Sequence, residues 1–437
     1  MSRLGRPVRL AAFVWVAIVA LLAPSTGSAQ SPTMRERIYD RLSKAQTATE
    51  AGDYPKALEL LREVEKDKNL SPYEIAQFQT AYGFLEYTRE NYREAVKHYE
   101  IALQQEGLPE AMTSLTLYTL AQMNFMIEDY QAAADGLLRW LQTATSPGPE
   151  PYVLLGQAYY KLGRYRDGLT AVQNAIEIAQ TGGRPIQEGW YLLLRVLHYE
   201  LGDWKKVAEV LQILVERFPK KEYWLQLAAT YGEMDDNPKR LATYDAAYLQ
   251  GLLDDDQDLL AYSQLLVQAG APYRGAVVLA KAMEDSKVEK TERHLRLLSE
   301  MWTVAREEEK AIAALEATAQ VSTNGEADAR LAQLHLNRDE LDLAVKSGRR
   351  ALEKGVEDPA QIRLVLGMAL FEAERYDQAR TEFRQAQSDP DLRTAATQWI
   401  DYIDREVARI RQLEEGLAAP AAVTATDEAT DAASEGS

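Results

Sequence analysis

The chain has 437 residues, 67 acidic against 49 basic side chains, a formal charge of −18 and no cysteine. Such a surface repels nucleic-acid phosphates and anionic lipid headgroups and favours basic partner segments. The missing cysteine excludes disulfides, thiol catalysis and lipid attachment at a cysteine.

At the start, Arg3, Arg6 and Arg9 precede the apolar run AAFVWVAIVALLA, and STGSAQ then offers small residues. That order is the pattern of a secretory signal over residues 1–29, cut after Ala29, and the run is short for a membrane span. An uncleaved anchor is the alternative reading. Cleavage takes away three arginines and no acids, which leaves a charge of about −21 on a chain expected in a Gram-negative periplasm.

From residue 34 the chain repeats. LLGQAYYKLGRYRDGLTAVQNAIEI (154–178) reads as two short helices around a turn, yet it carries Gly156 and Gly168 inside them. Each glycine costs roughly 1 kcal/mol against alanine in a helix interior. Small residues at matched places on two antiparallel helices let their backbones approach, which accounts for both. The same marker after each turn, with a small residue three places on, recurs as Tyr54/Ala57, Tyr92/Ala95, Tyr130/Ala133, Tyr165/Gly168, Trp204/Val207, Asn237/Arg240, Tyr273/Ala276, Glu308/Ala311, Leu341/Ala344 and Tyr376/Ala379. Steps of about 33–39 residues between markers are those of a helix-turn-helix solenoid, here of about ten units. After them, residues 392–417 place Trp399, Ile400, Ile403, Val407 and Ile410 at helical spacing, as a terminal helix covering the open end of the stack does. The last stretch, 418–437, is rich in small residues and acids and is expected to be disordered.

Little in this pattern carries chemistry. His98, His198, His294 and His335 lie in different repeats and form no i, i+4 pair, so no metal site is expected. No nucleophile elbow, phosphate loop or dinucleotide fingerprint occurs, so neither catalysis nor a cofactor is expected. Asp254, Asp255, Asp256 and Asp258 lack the glycine of a calcium loop and open a helix, where carboxylates cap N–H groups. Arg195 and Arg240 stand where small residues belong. A guanidinium at such a place must be paired or reach solvent. For Arg195 an ion pair between repeats is the first reading, and a role facing a ligand is the second.

The residues Gly156, Tyr159, Gly168, Val172 and Ala175 in one unit, and Gly367, Leu370, Ala379, Phe383 and Ala386 in the last, resemble the pattern of tetratricopeptide repeats. Gly83, Ala95, Tyr99 and Ala102 fit a third unit, and Ala228, Tyr231, Tyr244 and Ala247 a fourth, with Trp224 at the family's tryptophan place. The units marked by Glu308 and Leu341 lack the aromatic and are expected to pack less regularly. The resemblance covers residues 34–391 and implies an all-α fold, a right-handed superhelix whose first helices line a concave groove. Under that mapping the twelfth place holds Tyr87, Phe125, Tyr160 and Tyr199 in four successive units. Thr49 precedes them, and Gly232, Gln268, Thr303, Leu336 and Phe371 follow. Gln77, Gln122 and Gln157 stand at groove places beside the rings, and Gln226 less clearly so. Such a stripe suits an extended peptide, since rings supply contact area and amides bond its backbone. The same rings can instead be core between repeats.

Residues 70–96, 115–133, 188–211 and 218–253 further resemble secreted proteobacterial tetratricopeptide proteins associated with TonB-type energy transduction. The resemblance implies an interaction scaffold near TonB, ExbB and ExbD in outer-membrane uptake. A cell-wall adaptor that positions a peptidoglycan enzyme or binds glycan is the other reading left open.

Overall fold

The computed structural model describes residues 33–106 and 108–418, and all regular structure among them is helical. The expected signal at 1–29 and the tail beyond residue 418 lie outside the described residues. The chain divides into two compact units at Asp236/Asn237. The first holds α1 (Glu36–Glu50), α2 (Tyr54–Glu65), α3 (Pro72–Thr88), α4 (Tyr92–Leu103), α5 (Glu110–Met126), α6 (Tyr130–Thr143), α7 (Glu150–Lys161), α8 (Tyr165–Thr181), α9 (Glu188–Glu200), α10 (Trp204–Arg217) and α11 (Lys221–Glu233). The second holds α12 (Asn237–Leu249), α13 (Asp256–Gln268), α14 (Pro272–Glu284), α15 (Glu292–Val304), α16 (Glu308–Val321), α17 (Glu326–Asn337), α18 (Leu341–Lys354), α19 (Pro359–Glu372), α20 (Tyr376–Ala386) and α21 (Arg393–Ala418). Within each unit, helices adjacent in sequence pack on one another, as in an α-solenoid.

One turn geometry joins the two helices of repeat after repeat. Two residues before the second helix, the backbone enters the left-handed region: Gly163 has φ +71° and Gly202 +69°, while Glu90, Glu128 and Glu374 adopt 63°, 66° and 59° without a glycine's freedom. The next N–H then reaches back five residues, as Asn91 does to the Glu86 carbonyl (2.8 Å), Arg164 to Tyr159 (2.8 Å) and Arg375 to Leu370 (2.8 Å). This is the Schellman closure, which satisfies the carbonyls left open at a helix end. Asp53, Asp129 and Asp203 follow the left-handed residue and cap the next helix through its third N–H.

The glycines inside helices do what their spacing foretells. A Cβ on Gly156 would lie 2.5 Å from Val172 Cγ2 and 3.3 Å from the Gly168 carbonyl oxygen. A Cβ on Gly83 would meet the Tyr99 ring at 2.7 Å, and one on Gly367 the Phe383 ring at 2.7 Å. In all three repeats the contact falls sixteen residues downstream, on a side chain of the second helix that is almost wholly buried.

Two expectations need correction. The left-handed Gly270 and the start of α14 at Pro272 shift that repeat by one residue. Its small residue is Gly275, whose Cβ would sit 2.6 Å from the Ser263 carbonyl oxygen, so the place assigned to Gln268 belongs to Val267. The units marked by Glu308 and Leu341 pack as closely as the others. Small residues set the approach of two helices, and these units keep them: Ser299 Oγ donates to the Ala311 carbonyl (3.0 Å), and Ala332 and Ala344 are fully buried. The lost aromatic therefore costs them no closeness.

At the end of the second unit, α21 lies on α20 with Ala396 and Ile403 fully buried. Its Trp399 ring stacks on Phe383 at 5.5 Å and also meets Phe371 at 5.5 Å.

Candidate functional site

Tyr87, Phe125, Tyr160 and Tyr199 all stand near the C-terminal ends of first helices, α3, α5, α7 and α9, inside the first unit. Each packs on the ring that opens the second helix of its own repeat: Tyr87 on Tyr92 (5.7 Å), Phe125 on Tyr130 (5.3 Å), Tyr160 on Tyr165 (6.0 Å) and Tyr199 on Trp204 (5.3 Å). Two of these second rings, Tyr130 and Tyr165, in turn meet the next repeat. Lys161 lies over Tyr130, and Tyr165 stands beside the Glu200 carboxylate. The result is a ladder of aromatic pairs along the turn edge of four repeats.

The ladder is graded in burial. Tyr87, Phe125 and Tyr160 are half-buried and pack against core clusters, whereas Tyr199 keeps 51% of its surface exposed. The next first helix carries Gly232 at the corresponding place, so no ring continues the ladder beyond Tyr199. Two shallow clefts open between consecutive turns beside it. One of about 400 Å³ is lined by residues 90–94 with Met126 and Ile127, and one of about 380 Å³ by residues 163–167 with Leu201.

The glutamines divide. Gln77 lies ten residues before Tyr87, which is about 15 Å along the helix axis, and donates to Met112 Sδ (3.0 Å). It is not beside the rings. Gln122 and Gln157 precede Phe125 and Tyr160 by three residues and therefore share their helix face. Gln122 stands next to the Tyr118 hydroxyl, and Gln157 is exposed. Gln226 is half-buried on α11, and its Oε1 is buried with no partner.

Arg195 overturns the first reading given to it. Among the described residues no carboxylate pairs with it, and its Nε is buried with no acceptor. Burial pushes its pKa below the ordinary arginine value, with partial offset from Tyr223, Tyr160 and Tyr199 around it. Acids stand near it in sequence, but they are engaged elsewhere. Glu188 accepts from Lys220 Nζ (2.6 Å) and from the Tyr223 hydroxyl.

Asp255 accepts from the Asp258 N–H (2.9 Å) as N-cap of α13, and the carboxylates of Asp254, Asp255 and Asp258 converge within 4.8 Å of one another. His98 bonds Gln79 (2.6 Å) and stacks on Tyr82, His294 bonds the Glu289 carbonyl (2.9 Å), and His335 bonds Glu340 (2.6 Å).

The model of the family described as anaphase-promoting complex, cyclosome, subunit 3 matches residues 88–175, and a tetratricopeptide repeat model matches residues 329–393. One match falls in each unit, over the turn and small-residue geometry already described. The fold is a tetratricopeptide-like α-solenoid. Solved structures similar to this chain include a tetratricopeptide repeat protein from Parabacteroides merdae, 15% identical with a TM-score of 0.37 over 62% of this chain and 99% of that one. MamA from Desulfovibrio magneticus is 20% identical with a TM-score of 0.34 over 42% and 96%. YrrB, described as a TPR protein with an unusual peptide-binding site, is 16% identical with a TM-score of 0.34 over 43% and 89%. No curated protein matches the chain. No helix among the described residues is long and apolar enough to cross a membrane.

Proposed function

We propose that this protein is a non-catalytic scaffold that binds an extended segment of a partner protein along the aromatic ladder of its first unit, with Tyr199 as the principal anchor. Tetratricopeptide repeats generally mediate protein–protein interaction. The observation that carries this reading is the grading of the ladder: Tyr87, Phe125 and Tyr160 are seated against the core, whereas Tyr199 is left half in solvent. A large exposed ring held by an edge-on Trp204 offers contact area at little entropic cost. The two turn clefts give flanking side chains somewhere to go.

The test separates anchor from core. Tyr199→Ala should leave thermal unfolding nearly unchanged and weaken the partner captured by crosslinking by about 30-fold, as loss of a 2 kcal/mol hot spot does. Phe125→Ala, at a half-buried ring, should lower the melting temperature as well. Equal affinity of Tyr199→Ala and the parent sinks the ladder as the binding site.

The place of action is proposed on the first 29 residues and on the resemblance to secreted TonB-associated proteins. The chain is exported to the periplasm, loses residues 1–29 and serves an outer-membrane uptake system near TonB, ExbB or ExbD. Protein recovered from a periplasmic extract should have the intact mass of residues 30–437. A mass that retains the leader refutes the cleaved, soluble form.

A further inference from the structure

Asn324 and Gly325 form the only Asn-Gly pair in the chain, in the turn between α16 and α17 of the second unit. Packing imposes the glycine. A Cβ there would overlap the Ala351 carbonyl oxygen and stand 2.7 Å from Val356 Cγ1. No side chain therefore shields the Gly325 nitrogen from the residue before it. Asn324 itself is exposed, and its Oδ1 accepts from the Glu326 N–H (3.1 Å).

Such a pair is reactive by its own composition. When the glycine nitrogen attacks the asparagine Cγ, a new N–Cγ bond forms, the Cγ–Nδ2 bond breaks, and ammonia leaves with the proton of that nitrogen. The product is a cyclic imide. Water then opens it at Cγ to leave aspartate, or at the main-chain carbonyl to leave an isoaspartyl link that runs through the side chain.

One hydrogen bond stands in the way. The N–H of the buried Gly325 donates to the Gly355 carbonyl (2.8 Å), just past the end of α18. A nitrogen held so can neither turn towards Cγ nor give its proton to solvent. Gly355 presents that carbonyl from φ +87°, a backbone conformation open to glycine and strained for any other residue.

We propose that Asn324 is a site of spontaneous deamidation and isomerisation, gated by release of the Gly325 N–H from the Gly355 carbonyl. The two products differ in what they do to the repeat. Aspartate keeps an oxygen for the Glu326 N–H at the start of α17, where the positive end of a helix favours a carboxylate. The isoaspartyl link lengthens the main chain just before a glycine that has no room to move, so it breaks the bond to Gly355 and loosens α17 against α18.

The full chain and a synthetic peptide of residues 311–330, the tryptic fragment that holds the pair, are incubated side by side in mildly alkaline buffer. The mass of that fragment reports conversion of amide to acid. The peptide should convert at Asn324, and the folded chain should convert more slowly by about tenfold or more, the protection that a buried hydrogen bond and its packing supply against local opening. Gly355→Ala, strained at φ +87°, should speed conversion in the folded chain. Gly183→Ala, strained at φ +64° in the first unit, should leave it at the wild-type rate. Hydrogen exchange on the aged chain should show lost protection in α17 and α18 for the isoaspartyl fraction, whereas Asn324→Asp keeps it. A peptide that stays intact at Asn324 overturns the site. A folded chain that converts as fast as the peptide, or a Gly355→Ala chain no faster than Gly183→Ala, overturns the gate. Equal protection in the isoaspartyl fraction and in Asn324→Asp overturns the loosening of the repeat.

Discussion

Replacing Glu74 by glutamine is expected to loosen the first two repeats at neutral pH and to make no difference near pH 2. Glu74 is 2% exposed at the third position of α3, where it closes a capping box with Ser71 and takes three hydrogen bonds from Arg35, at the start of α1, at 2.9–3.0 Å. It thus ties the first helix of one repeat to the first helix of the next. The Arg35 guanidinium holds its carboxyl well below the ordinary value, from 4.5 to about 2. A depressed folded pKa contributes stability that is present above the unfolded value and lost as the carboxylate is protonated. The window therefore runs from about pH 4.5 down to about pH 2. Removing one partner of a buried pair costs about 3–5 kcal/mol. Arg35 is 43% exposed and can rehydrate, so about 2 kcal/mol is expected here. Hydrogen exchange in α1–α3, corrected for intrinsic rates, should show the wild type better protected than Glu74→Gln at pH 7. The gap should narrow below pH 4.5 and close near pH 2. A gap that persists unchanged to pH 2 would mean that Arg35 and Glu74 do not carry this contact as an ion pair.

Neither partner of that tie announces itself by periodicity. The sequence does disclose what recurs: Gly83, Gly156 and Gly367 stand sixteen residues before Tyr99, Val172 and Phe383, and the contact follows from the offset. It misplaces what is ambiguous within one repeat. Tyr273/Ala276 looks like Tyr165/Gly168, and only the left-handed Gly270 shows that Pro272 and Gly275 hold those places. The stripe of Tyr87, Phe125, Tyr160 and Tyr199 is legible as a shared place. Its burial is not, because Tyr92, Tyr130, Tyr165 and Trp204 stand in the sequence as turn markers, and only packing makes them the rings that cover it. Arg195 marks a further limit. Whether a buried cation is paired depends on which acids other residues have already taken, and that is decided in three dimensions.

Gly156→Leu is expected to damage the first unit more than any exposed substitution. The added Cβ alone would stand 2.5 Å from Val172 Cγ2, 3.3 Å from the Gly168 carbonyl oxygen and 3.6 Å from Leu193 Cδ2. Val172 is fully buried and cannot swing away, so α7 and α8 must separate. Overpacking of this kind costs about 1–3 kcal/mol, and more where backbone has to move. Propensity acts the other way, since leaving glycine gains up to about 1 kcal/mol in a helix. Gly189 isolates that gain: it lies at the start of α9 with nothing within 4 Å of its Cβ position, so Gly189→Ala should stabilise slightly. The clash decides the sign for Gly156. Because a solenoid repeat leans mainly on its neighbours, lost hydrogen-exchange protection should centre on α7 and α8, extend to α6 and α9, and fade towards α1. Protection in α7–α9 equal to the wild type would show that the two helices tolerate a side chain between them, and the close approach of Gly156 and Gly168 would then not be what holds this repeat together.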